Sequence, residues 1–253
     1  MTSLLDIEAV DRDVVRQARA DLATAFRAAA LYGYTEGIDN HLSLAVPGRD
    51  DLFLINRYGP HWSEITLEDI VMVDLEGNQV EGEGEIEATA FAIHRGVHQA
   101  RPSARAVFHT HMPYAAAVSC LPGGLETRLS QSSMYFHGHV GRVSFGGIAS
   151  AAEEGHRLGQ AVGGHVTLLL MDSHGVMVIG EDVPDAWHKL YFAERAAQLQ
   201  ILAQSAGQEP ILVSDETATE TAAQWQKYAP YYSPRLYDAI KRQLDRENPG
   251  HDS

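Results

Sequence analysis

Three histidines carry the clearest chemical signal in this chain: His109 and His111, separated by one threonine, and His174 far downstream. In an extended strand the side chains at i and i+2 leave the same face, so His109 and His111 are set a few ångström apart. Two ligands do not complete a catalytic zinc site, which typically takes three protein ligands and keeps a fourth position open. The best third ligand is His174, in the turn Asp172-Ser173-His174-Gly175 between two apolar runs, where the glycine permits close backbone approach. The chain holds 13 histidines, several of them clustered. Imidazole is the commonest metal ligand and the group whose charge changes most easily near neutral pH, so chemistry is sought there first.

Other residues compete for that role. His94 and His98 stand i, i+4 on a predicted helix, a spacing that can also hold metal. The Glu of a zincin is absent between them, and a helix face turned toward sheet or solvent is the simpler account. His137-Gly138-His139 is a second H-x-H, but its glycine and the adjoining Tyr135-Phe136 read as loop. Cys120 is the single cysteine. It excludes an internal disulfide framework or a multi-cysteine metal site, suits a reducing cytoplasm, and has no evident base to make it a nucleophile.

The elements that must position these residues follow from periodicity. Residues 11–33 carry Val14, Val15, Ala18, Leu22, Phe26, Ala29 and Ala30 at helical spacing and stop at Gly33. Alternating Leu42, Leu44 and Val46, a Pro-Gly-Arg-Asp turn, and Leu52, Leu54 and Ile55 predict a hairpin. A strand over 70–73 with a turn at Gly77-Asn78, a helix over 86–100, a strand over 104–111 and a helix over 113–120 come next. Residues 140–148 read as strand and loop and 150–163 as a helix. Strands at 166–171 and 176–179 flank the His174 turn. A long helix runs over about 183–204, and a last helix lies in the polar tail that ends YAPYYSPRLYDAIKRQLDRENPG. Helices and strands intermingle without repeat or linker, which predicts one α/β domain.

Composition narrows the partners. The chain of 253 residues is 45% apolar and 21% charged, enough for a substantial core. No apolar run reaches the roughly 18 to 20 residues that span a bilayer, and the first residues lack a signal-like pattern, so membrane insertion and secretion are not expected. A formal charge of −15 with no basic patch argues against nucleic acid. Between Arg57 and Arg95 there is no Lys or Arg while acids accumulate, which reads as a solvated acidic face.

The segments HTHMPYA and DSHGVMVIG resemble the metal-binding motifs of the class II aldolase/adducin family. GIDNHLSL is similar to that family's glycine-rich Asn-x-Ser loop, INRYG to its strand and turn, ITLEDIVMVDLEGN to its next hairpin, and AIHRGVHQARPSARAVFHTH to its helix and metal strand. The likeness runs from about Ala20 to Ala206. It implies one domain over 1–253 with its core at about 20–206, built as a central, mainly antiparallel sheet flanked by helices in three αβα layers. It also implies a C4 homotetramer acting on a small-molecule substrate. The divalent metal is usually zinc, with Mn2+ and Fe2+ as alternatives, held by His109, His111 and His174. Within the tail, 207–253, Tyr228, Tyr231, Tyr232 and Tyr237 read as packing on a neighbouring subunit, with closure over a neighbour's site as the alternative.

Departures from the family pattern shape the functional expectation. The acid/base glutamate of its aldolases aligns with Ala90; Glu87 and Glu85 are the nearest carboxylates, and either serves only if the helix entry shifts. The aldolases' phosphate-binding asparagine aligns with His41, their Thr-Gly pair with Tyr58-Gly59, and their paired serines with Ala88-Thr89, which disfavours a phosphorylated sugar. The pattern is closer to the adducin-like branch, which includes decarboxylases of aromatic acids, oxygenases and proteins without known activity. The catalytic candidates are His41, His61, Tyr135 and Glu87; the substrate-binding candidates are Asn40, Tyr58 and Gly59. A divalent ion on three neutral histidines can chelate a carbonyl and an adjacent oxygen and stabilise the enolate left by C–C cleavage. Retro-aldol cleavage needs a base, whereas decarboxylation chiefly needs a proton donor, so loss of the glutamate favours decarboxylation. The expectation is a metal-dependent lyase; the alternatives are a non-haem iron oxygenase and a non-catalytic adducin-type interaction protein.

Overall fold

A computed structural model describes residues 11–147 and 151–252. Helix α1 (Arg12–Leu31) starts where Asp11 accepts from the backbone N–H of Asp13 and Val14, and it ends against Gly33, whose φ of 73° lies in the left-handed region. Strands β1 (His41–Ala45) and β2 (Leu52–Asn56) form the expected hairpin. A 3-10 turn (Leu67–Asp69) leads into β3 (Ile70–Asp74), which pairs with the short β4 (Gln79–Glu81). Helix α2 (Ala88–Ala100), strand β5 (Ala106–Thr110) and helix α3 (Pro113–Ser119) follow. Beyond the short α4 (Gln131–Met134) come β6 (Val140–Val143), α5 (Ala151–Ala161), β7 (Leu168–Met171), β8 (Gly175–Gly180), α6 (Val183–Ser205) and α7 (Asp215–Glu247). The expected ends at 148 and 150 fall outside the described residues.

The eight strands make one sheet in the order β4-β3-β2-β1-β5-β8-β7-β6, antiparallel at every step except β6 with β7. Alternation divides its two faces. Leu42, Leu44, Leu54, Phe108 and Val178 join α1 and α6 in the larger core, while Val107, Leu169, Met177 and Ile179 pack with Ile93 and Val97 of α2 and Leu158 of α5. This is the expected three-layer αβα arrangement. Among the described residues no helix is long and apolar enough to cross a membrane.

The tail carries the one helix expected of it. Its helix begins at Asp215, behind a Ser214 cap, and runs through Pro230 and Pro234. Each internal proline forfeits a helical hydrogen bond, at about 3 kcal/mol or more. Buried Ala218, Ala222, Ala229, Ser233, Tyr237, Ile240 and Leu244, at roughly helical spacing, offset that cost by packing α7 onto its own subunit. Tyr237 therefore belongs to the internal core, its hydroxyl donating to the Asp21 carbonyl at 2.5 Å. Tyr228, Tyr231 and Tyr232 stay exposed.

Candidate metal centre

The β5–β8 pairing sets His109 opposite Met177 and Thr110 opposite Val176, so the turn before β8 lies beside the end of β5. His111 stands just past that end, in the segment leading to α3, whose first turn is anchored by the buried Glu194 carboxylate accepting from the N–H groups of Tyr114 and Ala115 at 3.0 and 2.8 Å. In the β7–β8 turn Ser173 adopts a φ of 54° and the His174 N–H donates to Met171 O at 3.1 Å. Gly175 is required here, because a Cβ would lie 2.6 Å from Thr110 O and 2.8 Å from His111 Cδ2. The three rings converge with centroids 5.0, 4.8 and 4.7 Å apart, and one nitrogen from each lies within 4.8 Å of the others.

The remaining ring nitrogens show what the cluster is built for. His109 Nδ1 lies 3.0 Å from Val176 O, which can only accept, so Nδ1 carries the proton and Nε2 is bare. His111 Nδ1 is bonded to the Glu36 carboxylate, which leaves Nε2 to turn toward the other two histidines, and its backbone N–H donates to Asn40 Oδ1 at 3.0 Å. The two Nε2 atoms face each other at 3.2 Å, close enough to share one cation. Burial and the neighbouring histidines push His109 well below, and His174 below, the ordinary histidine range, so both stay neutral as metal ligands must. Three convergent imidazole nitrogens with two outer partners fit a divalent ion. Glu36→Gln is expected to weaken zinc binding about 10- to 100-fold while leaving the fold intact, read by competition with a chromophoric chelator.

A cleft of about 670 Å³, counting space open to solvent, lies over the three histidines. Asn40, His41, Tyr58, Glu87 and Ala90 line it; Gly59, His61 and Tyr135 are not among its lining residues. His61 is engaged with Ser63 Oγ at 2.7 Å. Tyr135 is fully buried against Phe136, His188, Phe192 and Trp225, with its hydroxyl 3.2 Å from His188 Nδ1 and burial pushing the phenol up. Its apolar ring is spent on the core, which corrects the expectation of an acid in the pocket. Glu87 does reach the cleft, but its two oxygens accept from Thr89 N and Ala90 N at 2.9 and 2.6 Å, capping α2. Helix entry therefore does not shift to free that carboxylate, and Ala90 faces the cleft with no carboxylate of its own.

Sequence reasoning passed over two features, Glu36 and Asn56, while His94 and His98 take the sheet-facing place it gave them. Glu36 sits in a loop with no motif to mark it. Asn56, also in the lining, spends its Nδ2 on Arg57 O at 3.3 Å and leaves Oδ1 buried without a partner. His94 and His98 turn toward the sheet and are buried there. Burial depresses His98 to about 4. An unfolded chain takes up a proton near pH 6.5 that the folded chain refuses. The stabilisation is thus complete above about pH 6.5 and lost as pH falls toward 4, by about 3 kcal/mol for this group alone at about 1.4 kcal/mol per unit. Urea unfolding between pH 7 and pH 4.5 is expected to show that loss, and His98→Gln to flatten it.

Comparison with known proteins agrees with this geometry. A family model, Class II Aldolase and Adducin N-terminal domain, matches residues 20–201. A Caulobacter vibrioides protein described as "Putative aldolase class 2 protein" is 35% identical over 237 residues, covering 93% of this chain and 91% of that one. The crystal structure of an aldolase II superfamily protein from Pseudomonas syringae superposes with a TM-score of 0.89 at 33% identity, covering 98% of this chain and 99% of that chain. An L-fuculose 1-phosphate aldolase from Glaciozyma antarctica shares the fold, with a TM-score of 0.82 at 21% identity over 98% of this chain and 95% of its own.

Proposed function

Because the chain belongs to the class II aldolase and adducin family, we propose that it is a divalent-metal-dependent lyase that breaks a C–C bond of a small oxygenated carbonyl compound or acid through an enolate. The observation that carries this reading is the convergence of three imidazoles, two with fixed outer partners, at the floor of an open cleft. When bound, the ion, with zinc favoured over Mn2+ and Fe2+, supplies Lewis-acid stabilisation of the charge that develops on the enolate oxygen. His109, His111 and His174 hold it.

The chain's other residues handle binding and protons. Asn40 and Tyr58 line the substrate's approach, and the unpartnered Asn56 Oδ1 offers an acceptor for a substrate hydroxyl. Tyr58 and His41, standing where the resemblance puts a threonine and an asparagine that cradle phosphate, favour a substrate without one. With Glu87 committed to capping and Ala90 carrying no acid, Asp39, His41 and Tyr58 are the lining groups besides the metal histidines that can carry a proton, and His41 is the one whose ring packs against His109. The facial triad of iron oxygenases contains a carboxylate. Here Glu36 engages His111 Nδ1 instead, which supports the lyase over that alternative.

The same reading places the enzyme in the cytoplasm, where the exposed thiol of Cys120 stays reduced. It also assembles the chain as a homotetramer, with the exposed Tyr228, Tyr231 and Tyr232 at a subunit contact. Light scattering is expected to give four times the mass of the chain; a monomer would remove the tetramer. The functional test is elemental analysis of protein purified without chelator, followed by a screen of hydroxy- and keto-acids for aldehyde or CO2 release. One metal per chain, with release abolished in His109→Ala, supports the lyase. Metal-free protein, or release that survives the substitution, overturns it.

A further inference from the structure

A line of four buried side chains runs from the cleft into the layer between the sheet and α2. His41 Nδ1 lies 2.7 Å from His94 Nε2, His94 Nδ1 lies 2.5 Å from Ser43 Oγ, Ser43 Oγ lies 2.7 Å from His98 Nε2, and His98 Nδ1 lies 2.9 Å from Ala104 O. Two periodicities assemble it: His41 and Ser43 are i, i+2 on β1, and His94 and His98 are i, i+4 on α2. The strand register also pairs His41 with His109, which brings the head of the line to the metal histidines.

The line has only one consistent direction when its imidazoles are neutral. Ala104 O can only accept, so His98 Nδ1 carries the proton and His98 Nε2 is bare. Ser43 has one hydroxyl proton and must donate it to that nitrogen, so its oxygen accepts from His94 Nδ1–H. His94 Nε2 is then bare and accepts from His41 Nδ1–H. A neutral imidazole carries one N–H, so the proton of His41 is committed inward. His41 Nε2 remains bare and has no hydrogen-bond partner among the described residues, on a ring that lines the cleft.

We propose that His94, Ser43 and His98 are positioning residues that fix His41 as its Nδ1–H tautomer and so present the cleft with a proton acceptor. This rests on the lyase reading and sharpens it, because an acceptor answers the demand of aldol-type cleavage rather than that of decarboxylation. In aldol cleavage the substrate hydroxyl proton passes to His41 Nε2 and the O–H electron pair becomes the second bond of the new carbonyl. The C–C bond breaks with its pair going to the enolate, and the same nitrogen returns the proton to the enolate carbon. Atoms and charge balance without a further reactant. Decarboxylation first calls for a donor, which a bare nitrogen is not. The substrate class is therefore a β-hydroxy carbonyl compound, and the base missing at Ala90 is replaced from β1.

The test reads the tautomer directly. In zinc-loaded protein labelled with 15N-histidine and free of substrate, long-range 1H–15N correlations separate bare from protonated ring nitrogens, and the signals lost in His41→Gln identify that ring. The wild type is expected to show His41, His94 and His98 each protonated at Nδ1 and bare at Nε2. Ser43→Ala breaks the line and is expected to give His41 as a mixture of both tautomers, while Ser43→Thr, which keeps the hydroxyl, restores the single one. Equal zinc content across the variants shows that the site has not simply collapsed. A wild-type His41 protonated at Nε2, or a tautomer indifferent to Ser43→Ala, overturns the proposal; the first of these needs no variant to fold. No substrate enters this measurement, so a failed acid screen sinks the lyase reading alone and a wrong tautomer sinks the line alone.

Discussion

Replacing His174 with alanine is expected to cut zinc affinity by more than about 100-fold, beyond the loss that removal of an outer-shell partner causes, and to bring the metal content of purified protein close to zero. His109 and His111 alone leave a two-ligand site, with Nε2 atoms 3.2 Å apart on one side of the ion and nothing to close the other. His174 closes it from a separate element, which is why its turn is built so tightly: Ser173 at φ 54° and Gly175 against Thr110 O admit one geometry. The fold is expected to survive, because His174 is only partly buried at the cleft and its turn is held by backbone bonds. Elemental analysis and circular dichroism of the same sample check both halves. Retained stoichiometric zinc would show that the ion sits elsewhere.

How much of this could be read from the residues depends on whether local spacing decides the outcome. The H-x-H pair and the turn histidine are set by strand alternation and turn chemistry over a few residues, so the convergence of His109, His111 and His174 was legible. His94 and His98 share a helix face for equally local reasons. What lies opposite that face is decided by packing α2 against β1, about fifty residues earlier in the chain, and spacing does not reveal it. Glu36 is in the same position, since its partner is a histidine beyond five intervening strands. Tyr135 misled because a phenol suits a proton donor and a core ring equally well, and only the surrounding Phe136, His188, Phe192 and Trp225 settle its role. In the tail, one last helix was legible, but that it runs through Pro230 and Pro234 depends on the buried stripe that packs α7 onto the core.

The site has two supports that the fold keeps separate, which yields an opposite prediction for the helix layer. Metal ligands belong to β5 and the β7–β8 turn, whereas Glu87, Ala90, His94 and His98 ride on α2, which is pressed against α5 through glycines. A Cβ at Gly96 would lie 2.0 Å from Gly155 O and 2.3 Å from Gly155 C, and one at Gly155 would lie 2.0 Å from Ala92 O. These are backbone atoms, so no rotamer change relieves the clash and the helices must separate. Gly96→Ala gains about 1 kcal/mol of helix propensity. Overpacking of about 1–3 kcal/mol is usual where side chains can yield, so the penalty here exceeds that range and the net loss is expected to pass about 2 kcal/mol. At roughly 2–4 °C per kcal/mol for a chain near this size, melting should drop by more than about 4 °C. Gly164→Ala, with nothing within 4 Å of its added carbon, controls for composition. Because none of the three ligands stands on α2 or α5, zinc stoichiometry in the folded fraction of Gly96→Ala should match wild type. A melting temperature equal to that of the control would mean that the two helices are not in the contact described.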